Sequence, residues 1–169
     1  MTIRQAFERE APALSFLLAD PAHAELISDM HVDAFDKGWG VDAIEPLLAA
    51  DTAIAFYATS DAGRKPVGFV VGRLAGDDAE IVTIGTRPEH QRRGIGTGLL
   101  AAFERAAERA GAGRVVFEVA DDNTAARALY ANGGYAEIGR RRDYYETAQG
   151  ARGDALLLGK VLGNPASER

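Results

Sequence analysis

Apolar residues along this chain fall into short blocks whose spacing switches between the two regular backbone periods. Ala13 to Ala19 (ALSFLLA) is a continuous run of the kind that forms a buried strand. Asp20-Pro21 then supplies a helix cap with proline at the first helical position, and Leu26, Ile27, Met30 and Ala34 recur at helical spacing, which predicts a helix to about Phe35. Asp36-Lys37-Gly38-Trp39-Gly40 interrupts it, and Ile44, Leu47 and Leu48 mark a second, short helix. Thr52 to Thr59, Pro66 to Leu74 and Ala79 to Thr86 read as the strands of an antiparallel meander, turned at Asp61-Ala62-Gly63-Arg64-Lys65 and at Gly76-Asp77-Asp78.

The second half alternates in the same way. From about Gly94 to Ala110 the residues Ile95, Leu99, Phe103, Ala106 and Ala110 share one helical face, and Gly111 fits a C-terminal cap. Arg114 to Val119 is a buried-type strand. Asn123 can cap a helix to about Asn132 that Gly133-Gly134 closes, and Tyr135 to Tyr145 and Asp154 to Val161 read as the last strands. The order β α α β β β α β α β β predicts an α/β (α+β) fold, a mixed central sheet of about seven strands with about four helices on its faces. Residues 1–12 and 163–169 are expected to be mobile tails, and with no linker-like segment the chain 1–169 is expected to be one domain.

Composition acts mainly by exclusion. Lys and Arg total 19 against 25 Asp and Glu, a formal net charge of -6, which argues against direct binding of nucleic acid through its phosphates. The absence of cysteine removes disulfides, thiolate metal sites and Cys nucleophiles, and favours a cytoplasmic location. No signal peptide or membrane span is readable, and no His, Asp and Glu cluster has metal-ligand spacing, so neither a membrane nor a metal is expected.

The chemistry concentrates in Ile84 to Leu100 (IGTRPEHQRRGIGTGLL), where a strand gives way to a charged loop and glycines open the long helix. The first N–H groups of such a helix lack intrahelical partners and form a seat for an anion. The P-loop pattern is absent. Gly96-x-Gly98-x-x-Ala101 matches a relaxed dinucleotide fingerprint, but Arg87 to Arg93 separate it from the strand and place it inside the helix. What remains is Gln91-Arg92-Arg93-Gly94-Ile95-Gly96, which matches the Q-x-x-G-x-G pattern of the GNAT superfamily of acetyl-CoA-dependent N-acyltransferases. Asn123 to Tyr130 followed by Gly133-Gly134-Tyr135 resembles that superfamily's second signature, N-x-x-A-x-x-L-Y-x-x-x-G-F/Y.

More narrowly, FEVADDNTAARALYANGGYAEIGRRRDYY with Asp154 to Leu158 after it resembles the ribosomal-protein alanine N-acetyltransferase family, as do Phe35 and Trp39 after the first helix. Gly85-Thr86 and Gly38-Trp39-Gly40 depart from its usual residues. The resemblance implies acetyl-CoA as co-substrate. Its acyl arm would lie along Ile84, Gly85 and Thr86, and its pyrophosphate on Arg92, Arg93, Gly94, Ile95, Gly96 and Thr97, with Asn123 as a side-chain contact. It implies Glu118 as general base and Tyr130 as general acid to the departing thiolate. As an acid in the apolar run Val115 to Val119, Glu118 would be made a stronger base by burial, whereas strand alternation taken alone favours its exposure to solvent. The acceptor implied is a protein or peptide N-terminus, that of a ribosomal protein, with the enzyme a monomer or weak dimer; a small amine, a protein lysine or a non-catalytic CoA-binding module are the alternatives.

Around these, Trp39 reads either as a hydrophobic plug or as a wall of the substrate site, with Tyr144 and Tyr145 as further substrate contacts. His31 and His90 are expected at the surface or rim, Arg140-Arg141-Arg142 either as a solvated strand end or, close to Tyr144-Tyr145, as a border of the acceptor groove, and Asp121-Asp122 as support for the helix after them.

Overall fold

The computed structural model describes residues 13–60, 64–147 and 149–163. The expected tails, apart from Gly163, and the turn at Asp61-Ala62-Gly63 lie outside the described residues. Strand β1 (Ser15–Leu18) leads through a 3-10 turn (Pro21–His23), capped by Asp20, into α1 (Ala24–Ala34) and α2 (Val41–Ala49). Next come the meander β2 (Ala53–Ser60), β3 (Lys65–Ala75) and β4 (Asp78–Thr86), then α3 (Ile95–Arg109), β5 (Arg114–Ala120), α4 (Thr124–Asn132), β6 (Ala136–Glu146) and β7 (Arg152–Val161). The alternation of helical and strand periods predicted this order element for element. Among the described residues no helix is long and apolar enough to cross a membrane.

The strands form one mixed sheet in the order β1-β2-β3-β4-β5-β7-β6. Successive side chains of a strand point to opposite faces, so β2 and β3 feed two cores. Ile54, Phe56, Val70, Val115, Phe117 and Leu156 pack with Leu99 and Phe103 of α3 and Tyr130 of α4. On the other face Ala55, Phe69 and Val71 pack with Ile27 and Met30 of α1 and Ile44 and Leu48 of α2.

Only one neighbouring pair in the sheet is parallel, β4 with β5, and its register covers just Asp78↔Arg114, Ala79↔Val115 and Glu80↔Val116. Beyond Glu80 the two strands part. The cause lies on the other side of β4, where the pairing with β3 jumps from Gly72↔Ile81 to Val71↔Thr83 and leaves Val82 as an extra residue. A bulge of this kind bends its strand and strengthens the local twist. It also reverses the facing of the residues after it. Ile81 lies in the α3-side core, whereas Thr83 contacts His31 of α1, and Gly85 lies against Phe69 and Phe35. Gly72 makes the bulge sterically possible, because a Cβ there would come within 2.2 Å of the Glu80 carbonyl oxygen and 2.6 Å of the Phe103 ring.

The chain between α1 and α2 is held by side chains of α1. Ser28 Oγ donates to the Trp39 carbonyl at 2.8 Å, and the Trp39 N–H donates to His31 Nδ1 at 3.0 Å. Since Nδ1 accepts, the proton of a neutral ring sits on Nε2, which is 3.2 Å from Thr83 Oγ1. The His31 ring lies 4.7 Å from Trp39 in a stacked arrangement and is flanked by Phe35 and Phe69. His31 is therefore buried at the centre of an aromatic cluster, not at the surface as its sequence position suggested. Burial lowers its pKa, and no charged side chain is among these contacts to offset that.

Because the folded state holds His31 neutral more strongly than the unfolded chain does, the stability it contributes is present above a pH of about 6.5 and is lost as pH falls below that value. Urea midpoints should fall on acidification through this range while the emission of Trp39, the sole tryptophan, shifts to the red; His31→Leu should flatten that dependence. Gly72→Ala should cost about 1–3 kcal/mol of stability, measured by chemical denaturation, since its methyl must displace either a backbone carbonyl or a buried ring.

Candidate active site

The parting of β4 from β5 leaves peptide groups without a neighbouring strand. In an antiparallel ladder the residues bonded to the partner alternate with residues whose N–H and C=O face the other way. The Arg87 N–H donates to the Val67 carbonyl at 2.9 Å, which sets the phase on β4: Gly85 and Thr83 bond toward β3, and Ile84 and Thr86 turn their peptide groups toward the gap. An extended, amide-bearing molecule laid along this edge would complete the ladder.

The mouth of the gap is formed by the turn Pro88–His90 and the start of α3. Gly94 caps the helix at φ 79°, and Arg92 also has a positive φ of 62°. Backbone turning through left-handed residues makes successive N–H groups converge, and Gly94 is a residue for which that conformation carries no Cβ penalty. The Gly98 N–H reaches the Gly94 carbonyl at 3.0 Å as the opening helical bond, so the N–H groups of Ile95, Gly96 and Thr97 have no intrahelical acceptor. The cap residue supplies no side chain to them. The exposed Arg92 and Arg93 add charge beside these donors. Gly96 and Gly98 serve packing: a Cβ at Gly96 would stand 3.0 Å from Leu129 of α4, and one at Gly98 would stand 2.1 Å from Phe16 of β1. His90, like His31, is buried; burial lowers its pKa, reinforced by the nearby charge of Lys65.

Across the gap, the alternation of β5 divides the two residues expected to do the chemistry. Phe117 points to the α3 side, where its ring lies 4.0 Å from that of Tyr130, and Glu118 points to the opposite face. Tyr130 is only 4% exposed, and burial raises its pKa, so the phenol keeps its proton at any physiological pH. Tyr135, in the same aromatic group, is likewise raised by burial and by Glu104, to which its hydroxyl donates at 3.0 Å.

Glu118 takes the exposed of its two readings, because α1 and α2 cover β2, β3 and β4 and leave the same face of β5, β7 and β6 open. Its cross-strand neighbour there is Leu157 of β7, and its carboxylate forms an ion pair with Arg141 of β6, Nε to Oε1 at 3.0 Å.

The other expected residues are distributed around this centre. Asn123 caps α4, its Oδ1 accepting the Ala126 N–H at 3.1 Å. Trp39 has one ring face stacked on His31 and stays 36% exposed; it stands on the α1 side of the sheet, as Glu118 does. Tyr144 is exposed and lies under the Arg141 guanidinium at 5.1 Å. Tyr145 instead turns its hydroxyl to Asp122 Oδ1 at 2.6 Å. Asp121 pairs with Arg127 and Arg140, so Asp121-Asp122 tie α4 to β6 in addition to flanking the helix start.

Arg140 and Arg141 are likewise not a merely solvated strand end. Arg140 binds Asp121, Glu137 and Asp154, and these carboxylates hold its pKa above the usual range. Between Arg141 and Tyr145 the β6–β7 register slips, Asp143 adopts a φ of 51°, and its N–H donates to Asp154 Oδ1 at 3.0 Å. Asp154 thus pins the bulge that carries Tyr144. The contacts of Arg141 with Glu118 and of Asp154 with the bulge escape sequence reading, because only the strand register brings these residues together.

Among the described residues no group of His, Cys, Asp and Glu is arranged to hold a metal ion. The donors at the start of α3 and the open edge of β4 fit an anionic, amide-bearing molecule such as acetyl-CoA, with the anion at the helix and the amides at the strand. Comparison with known proteins agrees. The E. coli (strain K12) ribosomal protein bS18-alanine N-acetyltransferase is 35% identical over 94 residues, which are 56% of this chain and 63% of that relative. The chain thus spans just under two thirds of that relative's length. The N-alpha-acetyltransferase RimI of Mycobacterium tuberculosis is 37% identical over 151 residues, 86% of this chain and 90% of the relative. The crystal structure of the E. coli ribosomal-protein-S18-alanine N-acetyltransferase superposes with a TM-score of 0.83 at 23% identity, covering 93% of this chain and 99% of that one. Arabidopsis thaliana NAA60 in complex with acetyl-CoA gives 0.75 at 16% identity, covering 90% and 100%. The family model for the GNAT acetyltransferases matches residues 24–135, and with the parted strands, the glycine-opened helix and the 37%-identical relative it establishes that this chain belongs to the acetyltransferase (GNAT) family.

Proposed function

We propose that this chain transfers the acetyl group of acetyl-CoA to the N-terminal amine of a protein, the alanine amine of a ribosomal protein being the acceptor its relatives point to. The observation that carries the reading is the pairing of an open peptide edge at Ile84 and Thr86 with unpaired N–H groups at Ile95, Gly96 and Thr97, beside a strand that presents Glu118 on one face and packs against Tyr130 on the other. An acceptor of this kind places the reaction in the cytoplasm, with residues 1–169 acting as one catalytic domain.

The residues divide the work by position. The N–H groups of Ile95, Gly96 and Thr97, with Arg92 and Arg93 beside them, hold the pyrophosphate, and Asn123 adds a side-chain contact at the start of α4. The Ile84, Gly85 and Thr86 edge aligns the acyl arm so that its carbonyl is reached from the Glu118 face. Glu118 accepts a proton from the acceptor ammonium, directly or through one water, and the freed nitrogen lone pair forms the new N–C bond. The C–S bond breaks, and its electron pair leaves on sulfur, where the Tyr130 phenol donates a hydrogen bond or its proton, while the nitrogen loses its second proton to solvent and becomes the neutral amide. Trp39 and Tyr144 flank the acceptor on the open face, with Tyr145 bracing the bulge through Asp122.

An exposed carboxylate suits this acceptor. An α-amino group with a pKa of about 7.8 is roughly 10–15% neutral at pH 7, so freeing it costs only about 1 kcal/mol. A lysine amine at about 10.4 costs roughly 4–5 kcal/mol, a larger demand on the same carboxylate.

Calorimetry should show acetyl-CoA binding, weakened in Gly94→Ala because the cap must then hold an alanine at φ 79°; no binding by the unaltered protein would end the assignment. Turnover should appear on peptides with a free N-terminal alanine and not on blocked peptides with internal lysine. Turnover confined to small amines would replace the peptide reading, and cofactor binding without turnover on any amine would favour a non-catalytic module. Glu118→Gln should lower turnover at neutral pH by about 10²–10⁴-fold and recover in part as pH rises, whereas Tyr130→Phe should lose rate at every pH with cofactor affinity little changed.

A further inference from the structure

The Glu118 carboxylate already has a cation in front of it. Arg141 stands with Nε 3.0 Å from Oε1, and both side chains are open to solvent, 61% for Arg141 and 31% for Glu118. An exposed pair of this kind shifts an equilibrium by no more than about five-fold. The guanidinium carbon lies at the same time 5.1 Å from the centroid of the Tyr144 ring. Tyr144 sits on the β6 bulge that Asp154 fixes from β7, so this contact does not depend on the Glu118 carboxylate. Oε1 is thus faced by a counterion that is cheap to remove and keeps a contact of its own when it leaves.

We infer that Arg141 is a displaceable counterion for Glu118, one that yields its place to the acceptor's ammonium and returns once the nitrogen has become a neutral amide. The inference rests on Glu118 facing the acceptor, as proposed above. A free α-amino group arrives mostly protonated near pH 7 and so can replace one cation with another at the carboxylate. The acetylated product carries no charge on that nitrogen and cannot compete with the guanidinium. Arg141 therefore lowers the affinity of the site for both molecules by a small factor and hastens the exit of the product, and it keeps Glu118 from standing as an unpaired charge between turnovers.

The test uses the full chain with saturating acetyl-CoA and a peptide bearing a free N-terminal alanine, assayed by steady-state kinetics with the acetylated peptide as inhibitor. Arg141→Gln should lower the acceptor KM and the product inhibition constant, each by about two- to five-fold, without raising kcat, and Arg141→Lys should restore both toward the unaltered values. Arg142→Gln removes the same charge from the neighbouring exposed position and should change KM less; an equal effect would show a general field and overturn the displacement. A KM that rises or stays the same in Arg141→Gln, or a kcat loss with unchanged KM, would also overturn it, the latter marking a role confined to holding Glu118 in place. Glu118→Gln measured in parallel separates the two readings: if it keeps full activity the base assignment fails, and if it loses activity while Arg141→Gln is silent only the counterion fails.

Discussion

The site depends on a parallel contact that stops after three residue pairs. Asp78 to Glu80 hold β5 in the sheet, and from Ile81 onward β4 and β5 go separate ways, β4 remaining bonded to β3 and β5 to β7. Peptide groups facing a gap carry an energetic demand, since an N–H or C=O removed from water without a partner costs free energy on the scale of a hydrogen bond. Ile84 and Thr86 therefore stand as a half-built ladder that water or an extended ligand must complete. The bulge at Val82 and the missing side chain at Gly72 produce this opening.

Around the gap, close packing fixes the elements in place. Gly94 adopts the left-handed turn that aims the donors of α3, while Gly96 and Gly98 let α4 and β1 approach the same helix closely enough to fix its position. On the other face of the sheet the His31 cluster ties Trp39 to Thr83 on β4 through one buried imidazole. On β6 and β7 the contacts are electrostatic: Asp121, Glu137 and Asp154 gather around Arg140, Asp154 also holds the bulge, and the neighbouring Arg141 is left to Glu118 and Tyr144.

Two faces of one strand separate the residues proposed as base and acid. Period-two alternation sends Phe117 toward Tyr130 and Glu118 away from it. Tyr130 is buried and keeps its proton, while Glu118 lies on the open face beside Arg141.

Element order, the mixed sheet and the anion seat were legible along the chain, because hydrophobic period, caps and glycine position are local properties read within a dozen residues. Gln91 to Gly96 and Asn123 to Tyr135 likewise carried the family resemblance in contiguous stretches. Register and burial were not legible there, and they emerge only when the strands are assembled. Strand alternation allowed Glu118 either face, and its exposure is decided by the absence of a helix over that face of β5. His31 and His90 are buried, although they look like ordinary polar residues on a helix and a loop. Arg141 meets Glu118 across Leu157, a meeting of three strands fixed only by hydrogen-bond ladders between segments far apart in the chain. A residue's period tells which way it points; what waits there is set by the partner strand, which the local sequence does not encode.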